Sequence, residues 1–104
     1  MSYLDYKIIK KLSEDPQVSQ RQLSQDFGVS LGKINFVLKA LINKGLIKAT
    51  NFKNSHNKRA YFYQLTPRGL KHKTQLTVEF LRIKTREYHQ LQKEIEVLKK
   101  DIES

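Results

Sequence analysis

Apolar residues recur every three or four positions in the first part of the chain, as expected for helices that pack on a core. The first such stretch is YLDYKIIKKLSE, residues 3–14, and Pro16 soon afterwards ends the helix. Two further helical stretches follow, and Ser19 and Ser30 are suitable N-terminal caps for them. Gly28 between them suits the left-handed conformation that ends a helix. The pattern therefore predicts three helices, the last two joined by the short turn of a helix-turn-helix.

The apolar positions of these helices define the predicted core. In the first helix they lie opposite Lys7, Lys10 and Lys11, so one face is buried and the other is solvated. The apolar positions at helical spacing are Tyr3, Leu4, Ile8, Ile9, Leu12, Leu23, Phe27, Ile34, Val37, Leu38, Leu41 and Ile42.

The period of the pattern changes after the third helix. LIKATNF (46–52) and AYFYQL (60–65) are short segments with β-branched or aromatic residues, and the polar loop KNSHNKR joins them, which predicts a β-hairpin. Thr66 then caps a last helix that has Pro67 at its first position. Without another strong breaker, this helix is expected to run for about 35 residues, far above the usual length. Gly69 lies in its first turn, where we expect a glycine to cost little.

The last helix carries a second apolar pattern. Its apolar residues step by 7, 3, 4, 3 and 4, which is a heptad seam of about three heptads. We expect residues 76–104 to dimerise as a coiled coil, while residues 1–75 form the preceding domain. The alternative is one amphipathic helix that folds back onto its own domain. The seam consists of Leu81, Tyr88, Leu91, Ile95, Leu98 and Ile102, with Lys84 at the remaining seam position.

The charge of the chain indicates what kind of partner it binds. The 104 residues carry a net charge of +10, and between Asp26 and Glu79 there are ten cations and no acids. A field of one sign on a small domain favours a polyanionic partner, bound with release of counterions. There is no cysteine and no apolar run long enough to span a membrane. The chain also starts without a signal peptide, so a cytoplasmic, nucleoid-associated protein is expected.

Catalytic chemistry finds no support in the sequence. There is no glycine-rich phosphate loop and no supported Ser/His/Asp arrangement. His56, His72 and His89 are too scattered for a metal site. We expect no catalytic residue, no metal, no cofactor and no enzymatic activity.

The order of elements is that of a winged helix-turn-helix followed by a long C-terminal helix, mainly α with one small β-hairpin. In this fold the second helix of the turn lies in the major groove of DNA, with its first residues nearest the bases. Asn35 is suited to adenine and Lys33 to guanine, whereas Phe36 suits either a thymine methyl or the core. At the start of the preceding helix, Ser19, Gln20 and Arg21 are candidate phosphate contacts. The candidate base-reading residues are Ser30, Leu31, Gly32, Lys33, Asn35, Phe36 and Lys39.

Two other functions fit the same pattern. One is binding of single-stranded RNA by the same fold, in which Tyr61 and Tyr63 would stack on bases. Alternatively the coiled coil recruits a protein partner and the basic block is only solvated.

The stretch RQLSQDFGVSLGKINFVLKALINKGLIK resembles the core of bacterial winged helix-turn-helix regulators, and LTPRG resembles the hairpin-to-helix junction of the MarR family. The resemblance covers roughly residues 5–75 and is strongest to a short subgroup associated with exopolysaccharide genes. It implies a dimeric regulator of transcription on double-stranded DNA, with the wing in the minor groove. The implied wing contacts are Lys53, Asn54, Ser55, His56, Asn57, Lys58 and Arg59.

Within the wing, the resemblance gives Arg59 the role of the arginine that enters the minor groove, and Lys53 and Lys58 contacts to phosphates. The family orients that arginine with an aspartate two residues earlier, where this chain has Asn57. Family members are also longer, and many sense a small molecule. We do not expect ligand sensing in this chain.

Overall fold

The computed structural model describes residues 3–52 and 60–104, and it contains four helices and one hairpin in these ranges. This confirms the predicted fold class, mainly α with a small β-hairpin in the order of a winged helix-turn-helix. The elements are α1 (Tyr3–Glu14), α2 (Gln20–Phe27), α3 (Leu31–Asn43), β1 (Ile47–Phe52), β2 (Ala60–Leu65) and α4 (Pro67–Glu103).

The chain divides into two compact units, Met1–Lys73 and Thr74–Ser104. The roles predicted for residues 1–75 and 76–104 concern DNA binding and dimerisation, and they stay predictions. In the part of the chain that the structure describes, no helix combines the length and apolarity needed to cross a membrane.

The connection between α1 and α2 is held by local hydrogen bonds. The carboxylate of Asp15 accepts a bond of 3.1 Å from the backbone N–H of Gln17, and the Asp15 carbonyl accepts one of 3.3 Å from Val18. Val18 is buried. Pro16 therefore ends α1 in a turn that returns the chain to the core at once.

Individual residues fix the geometry of the turn between α2 and α3. Gly28 adopts φ 64°, the left-handed conformation that lets the chain leave α2. The backbone N–H of Val29 donates to the carbonyl of Ser24 over 3.2 Å, and the Ser24 hydroxyl donates back to the Val29 carbonyl. Ser30 then caps α3 by accepting from the N–H of Lys33 over 3.1 Å. The start of α3 is thus fixed within a few residues of the end of α2.

The core of the first unit lies between α1, α2, α3 and the hairpin, and most of the predicted apolar positions are in it. Leu4 and Phe27 are half-buried at its edge, and two positions are exposed: Ile42, in the last turn of α3, is 37% exposed, and Tyr3 is 50% exposed. Tyr3 opens α1 and lies at the surface, with its ring stacked 6.3 Å from that of Tyr6. The buried residues of this unit are Ile8, Ile9, Leu12, Val18, Leu23, Ile34, Val37, Leu38, Leu41, Leu46, Ile47 and Tyr63.

The hairpin joins the core through one of its faces. The strands are antiparallel, with Ile47 opposite Leu65 and Ala49 opposite Tyr63. Ile47 and Tyr63 are buried, as period-two alternation with one buried face requires. The backbone N–H of Tyr63 also donates to the carbonyl of Pro16 over 3.4 Å, which ties β2 to the α1–α2 connection.

The junction from β2 to α4 is organised by Thr66. Its hydroxyl accepts a bond of 3.0 Å from the N–H of Gly69, which is N-capping of a helix with Pro67 at its first position. The same hydroxyl lies 2.7 Å from the carbonyl of Gly45, and the Thr66 N–H donates to the carbonyl of Leu46 over 3.1 Å. One residue therefore caps α4 and attaches its start to the connection between α3 and β1.

Gly69 has a role that its position in the first turn of α4 did not reveal. The glycine is buried, and a Cβ atom built on it would overlap the backbone carbonyl of Leu46. Because that carbonyl is backbone held by Thr66, it cannot move aside as a flexible side chain would. The sequence interpretation covered only the low cost of a glycine at this position, whereas the close approach of two backbone segments requires one.

We expect Gly69→Ala to destabilise the protein by about 2 kcal/mol, because overpacking against fixed backbone costs roughly 1–3 kcal/mol. Gly32→Ala is the matched control. Gly32 also lies in the first turn of a helix, but its added Cβ would come no closer than 4.0 Å to the Ser30 hydroxyl. It should leave stability unchanged or raise it by up to about 1 kcal/mol. Urea unfolding of both variants measures this, and equal stabilities would contradict the close approach.

Candidate nucleic-acid interface

The two faces of α3 differ sharply in exposure. Ile34, Val37 and Leu38 are buried against the core. On the other side, Gly32, Lys33 and Lys39 are exposed, and Leu31 is 46% exposed. The predicted base-reading residues thus fall on the face that the core leaves open, apart from Asn35 at its edge.

Phe36 is on the open face, which decides between its two predicted environments. Its side chain is 67% exposed, so it is not a core residue. The Lys33 ammonium lies 5.8 Å from the centre of the Phe36 ring, within the range of a cation–π contact. A cation and an aromatic ring therefore form one exposed patch on the first turns of α3.

Asn35 is half-buried and belongs to a chain of polar side chains from three elements. Its Nδ2 donates to Oε1 of Gln20 on α2 over 3.4 Å. Nε2 of Gln20 in turn donates to the hydroxyl of Tyr63 on β2 over 2.9 Å. The Tyr63 hydroxyl both donates and accepts, whereas the bond from Nδ2 of Asn35 requires the Gln20 carbonyl oxygen on its side and so fixes the orientation of the Gln20 amide. We call Asn35, Gln20 and Tyr63 the polar relay.

The polar relay restricts Asn35 without using up its hydrogen-bonding capacity. A side-chain amide has two N–H donors and a carbonyl acceptor with two lone pairs. One bond to Gln20 leaves one donor and one acceptor, the pair that matches N7 and the N6 amino group of adenine. The arrangement holds the Asn35 amide at the edge of the open face in a form suited to base contact.

The start of α2 carries an N-terminal cap and an exposed cation. Ser19 is exposed, and its hydroxyl accepts a bond of 3.0 Å from the N–H of Gln22. Arg21 is exposed, whereas Gln20 is half-buried by its place in the polar relay. The predicted phosphate contacts of Ser19, Gln20 and Arg21 stay predictions, and the internal bonds of Gln20 were missing from the sequence interpretation.

The predicted wing contacts, Lys53, Asn54, Ser55, His56, Asn57, Lys58 and Arg59, lie outside the described residues. The strands that carry this loop are described, and the register places Phe52 opposite Ala60. The roles given to the seven loop residues stay predictions.

The predicted seam residues of α4 are all at the surface of the single chain. Leu81, Tyr88, Leu91, Ile95, Leu98 and Ile102 are between 43% and 87% exposed. Large apolar side chains in such a row are unusual on a helix that stays unpaired.

Exposed basic side chains lie on α3 and on the segment that follows it, and the sequence has no acid between Asp26 and Glu79. Lys33, Lys39, Lys44 and Lys48 are exposed.

In residues 3–52 and 60–104, no three His, Asp or Glu side chains come together as a metal site would require.

Comparison with known proteins agrees with this geometry. Residues 1–48 match the family model described as winged helix-turn-helix DNA-binding. None of the curated proteins compared with the chain matches it.

Solved structures share the fold over most of the chain. The transcriptional regulator BldR from Sulfolobus solfataricus is 30% identical, with a TM-score of 0.68 over 84% of this chain and 60% of its own. PcaV from Streptomyces coelicolor, solved with its natural ligand, is 23% identical, with a TM-score of 0.71 over 81% and 58%. FabT from Streptococcus pneumoniae, solved with DNA, is 23% identical, with a TM-score of 0.64 over 84% and 59%.

The fold and the matched model define a winged helix-turn-helix protein. MarR from E. coli shares this fold at 21% identity, with a TM-score of 0.63 over 72% of this chain and 54% of its own, and this is the fold that the resemblance stated from the sequence implied. The chain spans between 54% and 60% of the length of the four solved relatives named here.

Tyr63→Phe tests the polar relay as a structural feature. We expect a loss of about 1 kcal/mol in the free energy of unfolding, because Nε2 of the half-buried Gln20 loses the Tyr63 hydroxyl as its acceptor. The side-chain amide resonances of Gln20 and Asn35 should shift in a ¹⁵N-correlated spectrum.

Tyr3→Phe is the matched control for this variant. Tyr3 is 50% exposed in α1 and lies outside the polar relay and the seam, and the variant again removes one phenolic hydroxyl. Removing it should change stability by only a few tenths of a kcal/mol, as surface substitutions usually do. If both variants lose the same stability and the Asn35 resonance stays in place, the polar relay does not exist in solution.

Proposed function

We propose that the chain is a sequence-specific transcriptional regulator that binds double-stranded DNA as a dimer. The observation that carries this proposal is the division of α3 into a buried apolar face and an open face with Lys33, Asn35 and Phe36. In a helix-turn-helix the second helix enters the major groove, and this open face is the one it would present.

The open face of α3 offers several kinds of base contact. Asn35, oriented by Gln20, would pair with an adenine edge. Lys33 is a donor for guanine, and Phe36 is an exposed apolar ring suited to a thymine methyl. Gly32 lets the backbone approach closely, whereas Ser30 is occupied as the cap of α3. Leu31 and Lys39 complete the proposed surface at its two ends.

Contacts to the DNA backbone would supply most of the affinity. Ser19, Gln20 and Arg21 lie at the start of α2, where free backbone amides and a cation suit a phosphate. The absence of acids between Asp26 and Glu79 removes repulsion from the same surface. Binding of this kind releases counterions and depends steeply on salt.

The wing completes the proposed mode of binding, and the MarR resemblance supports it. Arg59 would enter the minor groove, with Lys53 and Lys58 on phosphates. Asn57 would replace the usual aspartate beside Arg59, since its side chain still accepts a hydrogen bond although it carries no charge. We therefore expect Arg59 to be oriented less strongly than in typical members of the family.

The relatives support the proposal to different degrees. FabT was solved with DNA, and at 23% identity it supports the shared fold and the mode of binding that this fold permits. PcaV was solved with its natural ligand, but we do not extend ligand sensing to this chain. Dimerisation through the C-terminal helix, a cytoplasmic and nucleoid-associated location, and the absence of a cofactor and of enzymatic activity belong to the proposal. Control of exopolysaccharide genes stays a prediction.

The RNA-binding alternative loses one of its two candidate stacking residues. Tyr63 is 6% exposed and its hydroxyl is in the polar relay, so its ring offers no face to a base. The protein-interaction alternative predicts no steep salt dependence of DNA binding. Competition between duplex DNA and single-stranded RNA at matched salt distinguishes RNA binding from DNA binding. A salt titration of DNA binding distinguishes the protein-interaction alternative from the proposed function.

The decisive experiment is selection of bound duplexes from a random pool, followed by titration of the selected site. We expect a two-fold-related site and an affinity that falls steeply with salt. A preference for single-stranded RNA, or a salt-independent affinity, would contradict the proposal.

Asn35→Ala and Lys33→Ala test the base contacts on the selected site. Each should weaken specific binding by about 1–3 kcal/mol and relax the preference at one position of the half-site. Lys93→Ala is the control, because it removes one exposed cation from α4 outside the proposed interface. It should leave the position-specific preferences intact. Equal losses on selected and random duplexes would show that α3 does not read bases.

A further inference from the structure

The second unit presents an apolar seam that one chain alone cannot bury. Leu98 is 62% exposed and Ile102 is 87% exposed, and the other seam residues are exposed as well. Burial of such side chains drives association, so the question is which partner and which orientation the seam fits.

The residues at the two kinds of seam position point to a parallel pair of helices. In heptad terms, Leu91 and Leu98 occupy d positions, and Ile95 and Ile102 occupy a positions. Isoleucine at a with leucine at d is the combination typical of parallel two-stranded coiled coils. The C-terminal part of the seam therefore carries the pattern of a parallel dimer.

The charges beside the seam give an independent indication. The g positions are Glu87, Glu94 and Asp101, all acidic, whereas the e positions are Thr85, Gln92 and Lys99. In a parallel pair each g residue lies beside an e residue of the other helix, so Glu94 meets Lys99 and Glu87 meets Gln92. In an antiparallel pair g residues face g residues, which places acids against acids.

We propose that residues 81–102 form a parallel, in-register coiled coil with the same segment of a second copy of this chain. The proposal rests on the dimeric part of the proposed function and adds the partner, the orientation and the register. A parallel pair attaches both DNA-binding units to the same end of the coil. That arrangement suits a dimer whose two recognition helices read half-sites of one operator.

Lys84 marks the weak point of this coil. It occupies the d position between Leu81 and Tyr88, so in register it faces Lys84 of the second copy. Its ammonium lies 3.4 Å from the carboxylate of Glu87 in the same chain, which offsets part of the repulsion. A polar seam residue lowers stability but specifies register.

Single cysteines test the orientation directly, because the natural chain has none. Ile102→Cys places one thiol at the last a position, and Leu81→Cys places one at the first. In a glutathione redox buffer, a parallel dimer of full-length chains gives homodimeric disulfides with either variant. An equimolar mixture of the two gives little disulfide between position 81 and position 102.

Two results would overturn the proposal, and they differ in what else they affect. Predominant disulfides between 81 and 102 in the mixture would show an antiparallel pair, and the dimeric regulator would stand. Sedimentation of the parent chain as a monomer at concentrations well above those used for DNA binding would contradict both the coiled coil and the dimeric part of the proposed function. Neither result depends on whether the chain binds DNA, which the selection experiment decides separately.

A charge variant gives a second readout without a new thiol. Glu94→Lys should weaken a parallel dimer by about three- to tenfold in dissociation constant, since it places a second cation beside Lys99 in both symmetry-related pairs. Adding Lys99→Glu in the same chain should restore the original affinity. In an antiparallel dimer, Glu94→Lys relieves repulsion between acids and tightens the dimer.

Glu96→Lys is the matched control for this variant. It makes the same change of charge two residues further along, at a b position that points away from the seam. We expect its dimer dissociation constant to stay within about twofold of the parent value. An equal effect of Glu94→Lys and Glu96→Lys would mean that total charge, and not pairing beside the seam, controls association.

Discussion

Burial of Ile34, Val37 and Leu38 on one face of α3 is the constraint on which the candidate interface depends. These side chains are at most 5% exposed. Once they face the core, the helical repeat leaves Lys33, Phe36 and their neighbours on the opposite side. A rotation of α3 about its axis would expose apolar surface at roughly 25 cal/mol per Å², so the open face is set by the core and not by the residues that form it.

Local signals explain why much of the architecture was predictable. Ser30, Gly28 and Pro16 act within a few residues of themselves, through a cap, a left-handed turn residue and a ring that ends a helix. Such effects depend only on neighbouring residues in the sequence, so they can be predicted without knowledge of the fold. The open and buried faces of α3 follow from spacing alone, with two exceptions. Spacing placed Ile42 in the core, where it is 37% exposed, and it left Phe36 undecided, whose exposure is a property of the packed domain.

The features that were missed join residues far apart in the chain. Gln20 lies 15 residues from Asn35 and 43 from Tyr63, so the polar relay exists only once α2, α3 and β2 are packed together. Gly69 is similar, because its neighbour is the backbone of Leu46 across the junction. The LTPRG motif now has a physical explanation. Its threonine caps α4 and bonds to the preceding connection, its proline starts the helix, and its glycine permits the close approach to the Leu46 backbone. The motif was recognisable in the sequence, but the reason for its glycine was not.

The proposed coil and the proposed interface have consequences for each other. About three heptads with Lys84 and Tyr88 in the seam is a short and imperfect coil. If such a coil pairs in free solution only at concentrations well above those used for DNA binding, two half-sites on one duplex hold two copies at a high effective concentration and complete the pairing there. DNA binding and dimerisation would then be linked, each strengthening the other by the same factor. An imperfect seam would in this way keep the chain dissociable while its operator retains the dimer.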